Sequence, residues 1–257
     1  MLLAIDVGNT NIVFGAFKGK ELIHDWRISS DQKKTSDEFG MLVTEMLANV
    51  QLKPVDIEAV IMSSVVPNIM HTMQNMIVKY FHQYPMIVGA GVKTGINIRY
   101  DNPKEVGADR IVNAVAALER YGGPCIIIDL GTAITFCVVD DKKNYLGGLI
   151  LPGISISAEA LVSRTSKLPK IEIIKPEKVI GKTTVSSMQN GLYYGFSTMI
   201  DGIVKHICGE IQMDPSDVHV IATGGFSNLL VSDSEYDIII DRDLTMDGLR
   251  ILYDLNN

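Results

Sequence analysis

An acidic turn motif occurs twice in this 257-residue chain, and its spacing constrains the fold more than any other feature. Ala4-Ile5-Asp6-Val7-Gly8-Asn9-Thr10 leads directly into the apolar stretch Asn11 to Phe17. About 120 residues later, Ile127-Ile128-Asp129-Leu130-Gly131-Thr132-Ala133 leads into Ile134 to Val139. Each copy predicts a strand, an Asp-x-Gly-polar turn and a second strand, followed by a third extended run at Glu21 to Ile28 and at Asn144 to Ile150. The period is too long for a solenoid unit and fits a duplicated domain. Two acidic hairpins facing each other across a cleft suit a phosphate chain and its cation, which points to a nucleotide.

Helical periodicity fills the intervals. Phe39, Leu42, Val43, Met46, Leu47 and Val50 follow the i, i+3, i+4, i+7 rule behind a capping-box sequence, Thr35-Ser36-Asp37-Glu38. A buried strand is expected at Glu58 to Ser64, a helix at Asn68 to Tyr80, and short strands at Pro85 to Gly89 and Gly95 to Arg99. Gly107-Ala108-Asp109-Arg110 opens a helix through Glu119, and the boundary between two domains, 1–106 and 107–257, is placed here. The second half predicts a helix over Ser155 to Ser166, extended chain over Leu168 to Ile174, and a long helix from Thr184 to Ile211. That helix carries a stripe of Val185, Met188, Leu192, Phe196, Met199, Ile203 and Ile207. Strands at Val218 to Ala222 and Ile238 to Ile240, a short helix between them and a last helix over Met246 to Leu255 complete the chain.

A net charge of −7 and the absence of a Lys/Arg run argue against general nucleic-acid binding. The 3 cysteines, Cys125, Cys137 and Cys208, each lie inside an apolar segment and read as reduced core residues. The 5 histidines form no zinc-ligand spacing. No apolar run approaches the ~18 residues of a spanning helix, and Asp6 interrupts the first apolar stretch before a signal-peptide core forms. A cytoplasmic protein is the expectation.

In the first hairpin, Gly8 lets backbone N–H groups approach an anion. Asn9, Thr10 and Asn11 add neutral donors, and Asp6 supplies a hard oxygen for Mg²⁺ or its waters. A type I′ turn is the plain alternative. The second hairpin repeats the logic with Asp129 and Thr132. Asp109 reads either as a helix cap or as a base that orients and deprotonates an attacking hydroxyl. Arg110 beside it reads as a clamp for a substrate carboxylate or as a surface ion pair. Thr223-Gly224-Gly225 stands where a strand turns into a helix, either as a plain turn or as a flat surface for adenine. Gly181-Lys182-Thr183 imitates the end of a P-loop, but the upstream glycine spacing fails.

Taken together these motifs resemble the type III pantothenate kinases, over essentially the whole chain. The resemblance implies an α/β fold of two tandem ribonuclease H-like (actin-like ATPase) domains with a cleft between them. The activity it implies is ATP-dependent phosphorylation of pantothenate, with Mg²⁺ riding on ATP and a monovalent cation, K⁺ or NH₄⁺, held by Asp129. Asp6-Val7-Gly8-Asn9-Thr10-Asn11, extending through Ile12 and Val13, matches the family's ATP-phosphate motif, and Thr132 its second ATP contact. Tyr100, Gly107, Ala108, Asp109 and Arg110 match the pantothenate site, with Asp109 as catalytic base, and Thr184 matches a further substrate contact. Trp26-Arg27 matches the segment before the first helix. Ile134 departs from a frequent threonine and Thr183 from a frequent asparagine. A homodimer is implied, and Gly191 and Gly195 on the long helix would permit close packing, between subunits or within one. The carboxylates of Asp6, Asp109 and Asp129 are expected to converge on one gap. Two rivals are another kinase or phosphatase of the superfamily and a nucleotide-sensing regulator that has lost catalysis.

Overall fold

The computed structural model describes residues 1–257 and builds two sheets with the same strand order. In the first, β1 (Leu2–Val7), β2 (Asn11–Lys18) and β3 (Glu21–Ser29) are antiparallel neighbours; β4 (Ala59–Ser64) pairs parallel to β1, and β5 (Met86–Ile87) parallel to β4. The order is β3-β2-β1-β4-β5. In the second, β7 (Cys125–Leu130), β8 (Ala133–Val139) and β9 (Asn144–Pro152) are the antiparallel trio, with β10 (His219–Thr223) and β11 (Ile238–Ile240) added in parallel. The order β11-β10-β7-β8-β9 repeats the first sheet, and β6 (Asn97–Ile98) extends it beyond β9. The duplication expected from the two motifs is therefore present as topology. Register shifts recur at matching places, between Ala16 and Phe17 and between Val138 and Val139.

The chain forms two compact units: Met1–Ile96 with Asp101–Ala116 and Asp243–Asn257, and Asn97–Tyr100 with Ala117–Arg242. In the first, α1 (Ser36–Asn49) and α2 (Pro67–Phe81) pack on the sheet through Phe39, Val43, Leu47, Ile69, Met73 and Ile77. The capping box forms in both directions: Glu38 N–H donates to Thr35 Oγ1 at 3.3 Å, and Thr35 N–H to Glu38 Oε2 at 2.8 Å. Leu3, Ile5 and Val7 of β1 join that core. Strand alternation therefore turns Leu2, Ala4 and Asp6 to the opposite face. The last helix, α7 (Leu244–Leu255), packs on β1, β2 and β4 of this unit. Gly248 of α7 lies so close to the Val112 carbonyl, on α3 (Ala108–Tyr121), that a Cβ would not fit.

In the second unit Ile126, Ile128, Leu130, Ile134, Phe136 and Val138 face α5 (Thr184–Glu210), which alternation again leaves Asp129 on the other face. The buried positions of α5 are Met188, Asn190, Leu192, Tyr193, Ile200, Val204, Ile207 and Cys208. The expected stripe is thus displaced: Val185 is exposed, and Phe196, Met199 and Ile203 flank the core rather than centre on it. Apolar residues occupy more than one side of this helix, so sequence spacing alone left its rotation underdetermined. α4 (Ile154–Ser163) stops three residues short of its expected end, and 168–174 pairs with no strand.

All three cysteines are buried and none forms a disulfide. Burial, with Cys137 nearby, pushes the Cys125 thiol up to about 12, so it is unreactive at neutral pH. No helix is long and apolar enough to cross a membrane.

Candidate active site

Asp6 is the penultimate residue of β1, and the parallel register sets Ser63 of β4 directly beside it. Ser63 is fully buried and its Oγ donates to Asp6 Oδ1 at 2.6 Å. Beyond Val7 the chain turns through Gly8, Asn9 and Thr10 into Asn11, the first residue of β2, and Ile12 resumes the pairing with β1 opposite Val7. The turn closes with Gly8 N–H donating to the Asn11 carbonyl at 3.0 Å. No residue from Gly8 to Asn11 has a positive φ, which excludes the type I′ turn. Glycine is favoured at position 8 for space, because a Cβ there would sit 3.0 Å from the Asn11 oxygen. Asn9 and Thr10 are exposed at the tip.

Asp109 lies in the first turn of α3. Its Oδ1 accepts the Arg110 backbone N–H at 2.8 Å, one of the donors a helix start leaves unpaired. A Cβ on residue 107 would stand 2.5 Å from that same oxygen, so Gly107 gives the carboxylate room to fold back over the helix end. Cap and candidate base are therefore one side chain, with one oxygen committed to the helix. Burial raises the Asp109 carboxyl above the usual range, opposed by the Arg110 N–H and the Arg110 charge. Arg110 is itself buried, which removes the surface ion pair as an account of it.

Asp6 and Asp109 are close enough to influence each other. Burial raises Asp6 to about 6; the Ser63 hydrogen bond opposes this, and the Asp109 charge adds to it. Perturbed carboxylates with a specific partner mark candidate functional positions. One turn along α3, buried Asn113 accepts from Thr245 Oγ1 of α7 at 2.7 Å.

In the second unit Asp129 stands between Thr135 of β8 and Thr223 of β10. Two glycines bound its carboxylate: a Cβ on Gly131 would lie 3.3 Å from Oδ1, and one on Gly224 2.6 Å from it. Gly224 also has a φ of +90° and would press on the Leu130 backbone, so two separate constraints demand glycine there. Gly224→Ala is expected to destabilise the protein by on the order of 2–4 kcal/mol. Urea unfolding measures this, and a change below about 0.5 kcal/mol would contradict the packing described. A Cβ at Gly225 meets nothing within 4 Å. The exposed Thr132 is fixed through its backbone, its carbonyl accepting from Gly153 N–H at 3.0 Å.

Tyr100 has its ring centroid 6.4 Å from that of Tyr145 and lies over Gly147, whose φ is +135°. Thr184, exposed as the first residue of α5, lines a groove of about 850 Å³ with Gly181, Lys182, Thr183, Ser187 and Leu161. Thr183 caps α5, its Oγ1 accepting the Ser186 N–H at 3.1 Å. Asparagine caps equally well, so this departure from the family pattern preserves the local chemistry. Ile134, 1% exposed, is a core residue. Gly181 abuts the backbone of Ser187, which accounts for the P-loop imitation as helix-start packing.

The first unit thus gathers Asp6, Asp109 and Arg110; the second holds Asp129, Thr132, Tyr100 and Thr184. Sequence reasoning missed Ser63. Its signal was the polar pair Ser63-Ser64 ending an otherwise apolar strand.

The duplicated sheet, with a carboxylate near the end of each central strand, defines the fold class of actin-like ATPases and sugar kinases. A polyphosphate/ATP-glucomannokinase from Arthrobacter shares it with a TM-score of 0.52 at 13% identity, over 100% of this chain and 99% of that one. A Campylobacter jejuni protein described as a Baf family transcriptional activator has a TM-score of 0.62 at 18% identity, over 99% and 98% of the two chains. A family model for type III pantothenate kinase matches residues 2–206. A type III pantothenate kinase from Halalkalibacterium halodurans is 50% identical over 256 residues, 100% of each chain. The chain belongs to the type III pantothenate kinase family.

Proposed function

We propose that this protein transfers the γ-phosphoryl group of ATP to the primary hydroxyl of pantothenate, giving 4′-phosphopantothenate in the first step of coenzyme A biosynthesis. The observation that carries this reading is the half-buried pair Asp6 and Asp109, each with a raised carboxyl, with Arg110 at the same helix start, in a chain of this family. Asp109 orients the acceptor hydroxyl and takes its proton. Its environment suits that role, because burial raises the carboxyl toward the working pH while the Arg110 N–H and charge oppose that rise and favour the ionised base.

The Asp6 to Val13 hairpin and Thr132 hold ATP. The exposed amides and hydroxyl of Asn9 and Thr10 are the right chemistry for phosphate oxygens, and the carboxylate of Asp6 for Mg²⁺ or its waters. Asp129, in its glycine-walled pocket, suits a K⁺ or NH₄⁺ ion that offsets phosphate charge. Tyr100, Gly107, Ala108, Arg110 and Thr184 hold pantothenate, with Arg110 on its carboxylate. Phosphoryl transfer rests on such positioning and charge neutralisation more than on covalent help.

The repeat divides at 106/107 in this reading, and the protein acts in the cytoplasm as a homodimer. Supporting the dimer, Cβ atoms built on Gly191 and Gly195 meet nothing within 4 Å, so neither glycine serves packing inside one chain. Val179, Ile180 and Val185 nearby are 65%, 82% and 42% exposed.

Incubating the purified protein with pantothenate, MgATP and KCl should yield phosphopantothenate by mass spectrometry. Turnover of a different acceptor in its place would move the protein to another kinase activity. ATP binding with no turnover of any acceptor would favour a regulator.

A further inference from the structure

Ser63 belongs to no motif by which the site was recognised, yet its hydroxyl donates to Asp6 at 2.6 Å, shorter than the 2.8 Å bond that Asp109 accepts from the Arg110 N–H. The geometry points to Ser63 as a positioning residue for Asp6, holding its carboxylate in one orientation so that the second oxygen stays directed at the nucleotide. This rests on the proposed role of Asp6 in the ATP site.

Three observations carry it. First, Ser63 is 0% exposed, so its hydroxyl has no water to turn to and its partner is set by the fold. Second, the partner is delivered by register: six consecutive pairs, Leu2↔Ala59 through Val7↔Ser64, lock β4 against β1 and place Ser63 opposite Asp6. Side chains opposite each other in neighbouring strands are in reach without any loop motion. Third, the bond uses one oxygen only, Asp6 Oδ1 at 2.6 Å, the length of a charge-assisted contact. A carboxylate held at one oxygen keeps one rotamer and offers the other oxygen for binding. Without the hydroxyl, the half-buried side chain is free to rotate, and the near-attack alignment of the phosphates loosens.

A purely structural serine would make the opposite prediction, since its loss would lower stability without coupling to Asp6. The test is a double-mutant cycle in the full-length protein, using Ser63→Ala, Asp6→Asn and the pair. The readouts are steady-state kinetics, calorimetric affinity for Mg²⁺ with a non-hydrolysable ATP analogue, and the thermal midpoint.

Ser63→Ala is expected to lower kcat or analogue affinity by about 10- to 100-fold, the range seen when a residue orienting a ligand group is removed. The KM for pantothenate should stay within about threefold. Ser63→Thr, which keeps the hydroxyl in a strand-compatible residue, is expected to recover most of that loss. In the Asp6→Asn background, Ser63→Ala should have little further effect, because the two act as one unit. The proposal is overturned if Ser63→Ala leaves kcat and analogue affinity within twofold, or if its penalty is the same with and without the Asp6 carboxylate. Should Asp6→Asn alone keep full turnover and affinity, the assignment of Asp6 to the ATP site has failed, a result separable from either outcome for Ser63.

Discussion

Turnover of pantothenate by the Asp109→Asn variant is expected to fall by about 10²- to 10⁴-fold, the range a positioned general base supplies. The variant isolates chemistry from folding. Asparagine keeps an oxygen that can accept the Arg110 N–H bonded by Asp109 at 2.8 Å, so the start of α3 remains capped. Its volume also fits beside Gly107, where the wild-type carboxylate already fills the space a Cβ would take. What is removed is the capacity to take a proton. The loss should therefore fall on kcat and kcat/KM alike, with ATP affinity within about threefold. Thermal unfolding should show a folded protein with a midpoint no lower than wild type, since the substitution deletes a buried charge. Turnover within about tenfold of wild type would remove Asp109 from the role of base, whatever the acceptor.

Asp6→Asn is expected to move stability and activity in opposite directions. Burial holds the Asp6 carboxyl at about 6 in the folded chain, against an ordinary value of 3.8. Between these values the folded state binds more protons than the unfolded chain. The stability this group allows is present below 3.8, declines as pH rises towards 6, and is missing above that. The difference amounts to on the order of 3 kcal/mol at pH 8. Asparagine carries no charge and can still accept from Ser63. In ligand-free protein its thermal midpoint at pH 8 should therefore rise by roughly 6–12 °C for a chain of this size. At pH 4 the gain should largely vanish. Turnover should drop meanwhile, and saturating MgATP should stabilise wild type far more than the variant. An equal midpoint difference at pH 4 and pH 8 would show that burial of the charge is not the cause. The expectation fits a general pattern in which functional charges are held at a cost in stability.

Much of the fold was legible because its signals are local. The antiparallel trios announce themselves through apolar runs broken by Asp-x-Gly turns, and Thr35 with Glu38 writes the start of α1 into four consecutive residues. Asp109 was legible as a helix-start carboxylate, and the structure shows its cap, with Oδ1 accepting the Arg110 N–H in an environment that raises the carboxyl. The first hairpin was legible as a turn but not as a turn type: Asn and Gly suggest type I′, whereas the backbone never enters the left-handed region and position 8 is limited by space. The stripe of α5 was legible in part: Met188, Leu192 and Ile207 are buried and Phe196, Met199 and Ile203 flank the core, but apolar residues on more than one side left the centre of the buried face open.

By itself, the sequence determined the duplicated strand pattern, most helix starts and the identity of the candidate acidic residues, since each depends on neighbours within a few positions along the chain. Only the tertiary structure decided that Ser63 would meet Asp6, 57 residues away, and that α7 would pack on the first sheet rather than the second. It also decided that Gly224 would wall in Asp129. Those relations follow from parallel strand register and close packing between distant segments. Such choices are made by the summed burial of many side chains, and no short stretch of residues encodes them.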